Sequence, residues 1–134
     1  MTQIVRTAVG GLLVGGLLAL ATVTGLAHHS AAMFEEKKTI TVEGMVKEFQ
    51  FTNPHSWLLV DVTDKNGKVT TWGFEAEGPS TLQRAGIRPS EFPAGTKLTI
   101  TGRPMKDGRP AAIWEYAIKP DGKKYDPRLG FAVR

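Results

Sequence analysis

The residues in this sequence that are best suited to chemistry are three histidines near its beginning. His28 and His29 directly follow an apolar run, and His55 lies within NPHSW, residues 53–57. If His28 begins a mature chain, its amine and ring nitrogen can chelate one ion together, in the square nitrogen arrangement that Cu(II) and Ni(II) favour. Met33 adds a thioether, which Cu(I) accepts. We therefore predict a transition-metal site, for copper in particular, with His28, His29, His55 and Met33 as candidate ligands.

The same histidines also have a purely structural interpretation. Two histidines at a flexible chain end are often only solvated, and a histidine in a turn can simply hydrogen-bond a main-chain carbonyl. The sequence does not establish whether His55 and the chain end meet in space. Nothing else indicates catalysis, because the sequence has no cysteine, no Gly-rich phosphate loop and no readable Ser-His-Asp arrangement. The pattern favours a binding protein over an enzyme.

The beginning of the chain has the layout of a secretory signal peptide. Arg6 supplies a positive charge, residues 7–27 are uncharged and mostly apolar, and Gly25 and Ala27 are small residues suited to a cleavage site. We predict cleavage after Ala27, which makes His28 the N-terminus of a periplasmic or secreted protein. Retention as a membrane anchor is the alternative, because about twenty uncharged residues can cross a bilayer.

Alternating apolar residues predict five β-strands after this segment. The first strand is long and changes phase, since Val42 and Val46 share one face while Phe49 and Phe51 fall on the other, which indicates a bulge or sharp bend. Asn-Gly within residues 64–68 is the strongest short signal for a hairpin. The predicted strands cover residues 38–51, 56–64, 69–77, 97–105 and 110–120.

A short helix is predicted between the third and fourth strands, over residues 78–87, with Pro79 near its start and Gly86 at its end. This element order is that of an OB-fold, a five-stranded Greek-key barrel. The predicted fold class is all-β: a small five-stranded OB-like barrel with one short helix, preceded by a signal peptide. We expect a signal peptide over 1–27, a flexible N-terminal segment over 28–37, the barrel over 38–120 and a C-terminal tail over 121–134.

Three tryptophans, Trp57, Trp72 and Trp114, fall on three different predicted strands. Packing in the core or at its rim would account for them. In the alternative, Trp57, Trp72 and Phe74 form an aromatic ligand face, because OB-folds bind oligomeric ligands on strands two and three. A non-metal binding module for a peptide, a saccharide or a protein partner is therefore the second predicted function.

The charge of the chain does not indicate a nucleic-acid partner. Lysine and arginine number 17 against 13 acidic residues, and the formal net charge is +4. No basic run exceeds two residues, so the charge predicts an ordinary solvated surface. The expected partners are a metal ion and a periplasmic protein, with membrane contact only through the first segment if it is retained.

Two motifs together resemble a known family. AHHSAAMFEEKKTITVEGMVKEFQFTNPHSW, residues 27–57, is similar to the start of small exported bacterial proteins grouped as domain of unknown function 6152, in which HHS precedes GxVxEFxxxNPHSW. The similarity continues through WGFEAEGPSTLQRAGI, residues 72–87, and weakens after KDGRPAAIW. Ile87 stands where the family pattern has tryptophan. The resemblance implies export and a small β domain, and it implies no activity.

Overall fold

The computed structural model describes residues 31–131, and the predicted signal peptide, His28 and His29 lie outside the described residues. Within residues 31–131, no helix is both long and apolar enough to cross a membrane. The described elements are β1 (Ile40–Gln50), β2 (His55–Thr63), β3 (Val69–Glu77), α1 (Pro79–Arg84), a first 3-10 helix (Pro89–Glu91), β4 (Lys97–Pro104), β5 (Ala111–Ile118), β6 (Lys124–Tyr125) and a second 3-10 helix (Pro127–Phe131).

Five of these strands close into a barrel. The sheet order is β3-β2-β1-β4-β5-β6, and parallel pairing of β3 with β5 joins the two sides. The long strand β1 is shared, because its first half pairs with β4 and its second half with β2. The closing pairs run from Gly73 opposite Ala111 to Glu75 opposite Ile113. This topology, with α1 between β3 and β4, confirms the predicted OB-like barrel.

The bend in β1 is a β-bulge. The register of β1 against β2 shifts between Val46 and Glu48, so Lys47 is the extra residue. Val46 is buried, and Phe49 and Phe51 pack against the same core. The phase change in the sequence is therefore confirmed as a bulge, which returns the two phenylalanines to the interior.

The predicted turn signals are also confirmed. The β2–β3 hairpin turns at Gly67, whose φ of 81° is a left-handed conformation that glycine adopts without strain. The side chain of Asp64 accepts hydrogen bonds from the main-chain N–H groups of Asn66 and Lys68, at 2.8 and 3.0 Å. At the end of α1, Gly86 has a φ of 76° and stops the helix.

The core fills the barrel and ends in a cluster of aromatic rings. Phe92 makes edge contacts with Phe49, Trp114 and Tyr125, with ring centroids 5.7, 5.4 and 4.8 Å away. Fully burying one phenylalanine is worth about 1.5–3 kcal/mol, so this cluster is a large part of the stabilisation of a small barrel. Ile87 is completely buried in the same core.

The segment predicted to be flexible, residues 28–37, is fixed to the barrel around Phe34. The Phe34 side chain is 2% exposed, and its main chain forms an isolated β-bridge with Met105. The main-chain oxygen of Met33 accepts a hydrogen bond from the N–H of Lys106, at 2.9 Å. A single buried phenylalanine therefore ties this segment to the β4–β5 loop.

The predicted tail, residues 121–134, also contains structure as far as it is described. Tyr125 is buried, and β6 adds to the edge of β5. The second 3-10 helix packs on α1, where a Cβ on Gly130 would overlap the main-chain oxygen of Thr81. The main-chain oxygen of Gly130 accepts a hydrogen bond from Nε of Arg84, at 2.9 Å. This contact fixes the course of the chain up to residue 131.

Glu91 connects the first 3-10 helix to the β5–β6 region. Its carboxylate accepts hydrogen bonds from the hydroxyl of Tyr125, from Nζ of Lys123 at 3.2 Å and from Nζ of Lys119 at 3.5 Å. The hydrogen bond from Tyr125, followed by that from Lys123, lowers the pKa of Glu91 from 4.5 to about 2. These bonds favour the ionised carboxylate.

We predict that Glu91→Gln lowers the melting temperature at pH 7. Because folding lowers the pKa of Glu91, its ionised carboxylate stabilises the folded state. This stabilisation is complete above pH 4.5 and is lost as the pH falls towards 2. Thermal unfolding of wild type and variant between pH 7 and pH 2 should show their difference shrinking across that range. Glu48→Gln, at an exposed position on β1, is the matched control. A difference that stays constant down to pH 2 would contradict this assignment.

Candidate functional site

The start of β2 and the end of β3 meet at one end of the barrel. His55 lies directly opposite Glu77, and Trp57 lies directly opposite Glu75. Directly opposite residues of an antiparallel pair point to the same side of the sheet. The alternate residues of β2, from Ser56 onward, are buried, so these four side chains lie on the outer surface. We call this surface the outer face of β2 and β3.

The loop before β2 is packed closely against the end of β3. Oγ of Ser56 donates to the main-chain oxygen of Thr52 at 3.3 Å, and Oγ1 of Thr52 donates to that of His55 at 3.2 Å. A Cβ on Gly78 would lie 2.6 Å from Oδ1 of Asn53, so glycine leaves the space that Asn53 occupies. The NPHSW and EAEGP segments are therefore two sides of one corner, and this packing fixes where His55 begins its strand.

His55 is held by a carboxylate. Its Nδ1 forms a hydrogen bond with Oε1 of Glu75. The His55 side chain is 26% exposed, whereas that of Glu75 is only 9% exposed. In a neutral ring the bonded Nδ1 carries the proton, because an ionised carboxylate only accepts hydrogen bonds. Nε2 is then the nitrogen with a lone pair, as in metal-ligating histidines whose other ring nitrogen donates to a carboxylate.

The described part of the chain does not contain a complete metal site. Within residues 31–131, no group of three or more His, Cys, Asp or Glu side chains is placed to hold a metal ion. His55 is the only histidine in that range, since His28 and His29 precede it. An ion bound at His55 would therefore need further ligands from outside the described residues, from solvent or from a partner.

Met33 and His55 are attached to different parts of the barrel. The Met33 side chain is 45% exposed and lies beside the β4–β5 loop, which meets β3 through a hydrogen bond to the N–H of Gly73. His55 lies opposite Glu77, four residues further along β3. Met33 is therefore held beside the β4–β5 loop, and His55 at the start of β2.

The predicted aromatic ligand face is divided between the two sides of the sheet. Trp72 lies opposite Val60, and Phe74 lies opposite Leu58, which places both rings on the interior side. Phe74 is 0% exposed and stacks on Trp72 with centroids 6.3 Å apart. Of the three residues proposed for this face, Trp57 alone lies on the outer surface. Phe74 belongs to the core because its position in β3 faces inward.

Trp57 rests against a glycine. A Cβ on Gly73 would lie 3.1 Å from Cε3 of the Trp57 ring, and 3.7 Å from Cδ2 of Leu59. Gly73 therefore leaves room for the ring to lie close to β3. Trp57 and Leu59 are both half-buried, so they form a small apolar area beside His55 and Glu75.

The sequence motifs did not mark Glu75 as a functional residue, although the hairpin contained the necessary signal. His55 and Glu77 are each eleven residues from Asn66 in the turn, and their pairing follows that symmetry. A count outward from the turn places Glu75 opposite Trp57. Trp57 is two residues from His55, so Glu75 and His55 lie on the same face of the sheet. This count requires the register of the hairpin, which the motifs alone do not give.

The fold and this corner define a class: a small all-β domain, built as a closed barrel with one short helix. The chain belongs to the family of unknown function DUF6152, whose model matches residues 16–114. The matched range includes the barrel from β1 into β5 and both segments of the His55 corner. No curated protein and no solved structure matches the chain.

We predict that Glu75→Ala removes the preference of neutral His55 for the Nδ1–H form. Glu75→Gln should keep it, because the amide oxygen can still accept from Nδ1. Long-range ¹H–¹⁵N correlation spectra of the imidazole ring measure this directly. Glu77→Ala removes the carboxylate opposite His55 and is the matched control. An unchanged ring spectrum in Glu75→Ala would show that the carboxylate does not set the protonation of this ring.

Proposed function

We propose that this protein is an exported binding module for a transition metal such as copper. His55 is the ligand that the barrel supplies, and His28 and His29 supply the others. The single observation that carries the proposal is the hydrogen bond between Nδ1 of His55 and Glu75. It orients the ring and leaves Nε2 as the donor atom, as a carboxylate does for histidines that bind metals.

The ligand types in the sequence suit copper in an oxidising compartment. The chain has no cysteine, so it has no thiolate ligand, and imidazole, amine and thioether groups are the ligands in it that suit copper. Cleavage after Ala27 would give His28 a free amine, which chelates Cu(II) or Ni(II) together with its ring. Met33 is a weaker candidate, because its thioether suits Cu(I) rather than Cu(II).

We expect calorimetric titration to show tight binding of Cu(II) to protein that begins at His28, with Zn(II) and Ni(II) titrated for comparison. This protein retains every residue that the structure describes. His55→Ala should weaken binding strongly, and Glu75→Ala should weaken it about 10–100-fold, the usual effect of losing a carboxylate that orients a ligand. Glu77→Ala should leave the affinity unchanged. Equal affinity in wild type and His55→Ala would overturn the role of the barrel.

The contribution of the N-terminus has its own controls. Replacement of His28 and His29 by alanine should weaken binding, and acetylation of the His28 amine should weaken it because that amine can then no longer chelate the ion. Export itself is tested by expression in a Gram-negative host, where the periplasmic protein should begin at His28. Protein that retains residues 1–27 in the membrane would contradict cleavage and favour an anchor.

The exposed position of Trp57 favours a second candidate function. The outer face of β2 and β3 is the surface on which OB-folds bind oligomeric ligands, and Trp57 lies on it. A peptide, saccharide or protein partner bound there would shift the NMR signals of Trp57 and Leu59. If no metal binds, and a panel of peptides and saccharides shifts these signals, this function replaces the first. If neither class of ligand has an effect, both proposals fail.

A further inference from the structure

The tip of the β2–β3 hairpin carries Asn66 followed directly by Gly67, and both residues are exposed. We propose that Asn66 is a site of spontaneous deamidation in the folded protein, and that Asp64 controls the rate by holding the turn closed. The product is aspartate or isoaspartate at position 66. This modification requires neither a metal ion nor a ligand on the outer face of β2 and β3.

The chemistry uses only two neighbouring residues and water. The main-chain nitrogen of Gly67 attacks Cγ of Asn66, and the new N–Cγ bond replaces the bond from Cγ to Nδ2. The side-chain nitrogen leaves as ammonia, together with the proton of the Gly67 N–H. Water then opens the five-membered succinimide at either of its carbonyl groups, which gives aspartate or isoaspartate. Glycine favours the attack because it has no Cβ beside the reacting nitrogen.

The surroundings of Gly67 leave room for this reaction. Among the described residues, a Cβ on Gly67 would meet no heavy atom within 4 Å apart from those of its two chain neighbours. Residues 63–69 are all exposed. The ring can therefore form without a clash, and water reaches it freely.

The hydrogen bonds of the turn oppose the attack. The N–H of Gly67 donates to the main-chain oxygen of Asp64 at 3.0 Å, so the attacking nitrogen is engaged while the turn is closed. Oδ1 of Asp64 accepts from the N–H groups of Asn66 and Lys68, and so fixes the main chain on both sides of the reacting pair. The turn has to open before the nitrogen can attack, as exposed loops do at low free-energy cost. The Asp64 side chain therefore limits the rate.

The other positions of similar chemistry are less reactive. Asn53 is the only other asparagine in the sequence, and it precedes Pro54, whose nitrogen carries no hydrogen to lose on ring closure. Asp107 and Asp121 also precede glycines, but a carboxylate is a poorer electrophile than the amide of Asn66. Deamidation is therefore expected at this position rather than throughout the chain.

Isoaspartate at position 66 would alter the hairpin turn itself. It routes the main chain through the former side chain, which adds a carbon between position 66 and Gly67. The N–H of Gly67 then no longer lies in place for the main-chain oxygen of Asp64. Because these bonds help to hold the hairpin, the isoaspartyl form should melt at a lower temperature than the unmodified protein. Asn66→Asp adds the same charge with a normal main chain, and is the matched control for this effect.

The test is mass-spectrometric peptide mapping of metal-free protein from His28 to Arg134 after incubation in mildly alkaline buffer. We expect aspartate and isoaspartate at position 66, an intact Asn53, and several-fold faster conversion in Asp64→Ala. Asp64→Asn keeps an acceptor oxygen and should convert at a rate close to that of wild type. Lys65→Ala leaves the hydrogen bonds of the turn in place and is the matched control. Circular dichroism verifies that each variant is folded.

Two results would overturn the proposal. The first is an intact Asn66 in the folded protein after the same incubation has converted most of a sample unfolded in urea. The second is an equal rate of conversion in wild type and folded Asp64→Ala, because the side chain of Asp64 would then not control the reaction.

Discussion

The register of the β2–β3 hairpin is the constraint on which the rest of the structure depends. The turn at Gly67 places His55 opposite Glu77 and Trp57 opposite Glu75. A slip of one residue would move each of these side chains to the other side of the sheet. The hydrogen bonds of Asp64 to the turn, and the buried alternate residues of β2, hold the register from both ends.

The same register determines how the barrel closes and where its outer face ends. β3 pairs with β5 through residues 73–75, so the Gly73 that accommodates Trp57 also begins the closing contact. The β4–β5 loop, which anchors Phe34, is joined to β3 at this point. The closing contact and the loop that anchors Phe34 therefore meet at one point of β3, and the carboxylate that holds His55 lies two residues further along the same strand.

Most of the barrel could be predicted from the sequence because its signals are local. Alternation gave the five strands, Asn66-Gly67 gave the hairpin, and the phase change before Phe49 gave the bulge. The grouping of Trp57 with Phe74 failed because it ignored the alternation of adjacent strands, which places position 57 outward and position 74 inward.

Contacts between distant segments were not predictable in this way. Phe34 follows Ala31, Ala32 and Met33 with no strand alternation, and Tyr125 stands between charged residues, so no period marks either of them as buried. Glu91 acquires its role from residues about thirty positions later in the chain, a separation that no local pattern encodes. The bond between His55 and Glu75 spans a hairpin, so it could be found only by a count from the turn.

The central claim is that His55 is the metal ligand supplied by the barrel, and paramagnetic broadening by Cu(II) tests it most directly. Substoichiometric Cu(II) is added to uniformly labelled protein that begins at His28, and the loss of amide and ring signals is followed by residue. We expect the signals of residues 55–57 and 75–77 to disappear together with those of residues 28–30, while the hairpin turn at residues 64–68 keeps its signals. Broadening that is confined to residues 28–30, with the His55 ring signals intact, would contradict the claim.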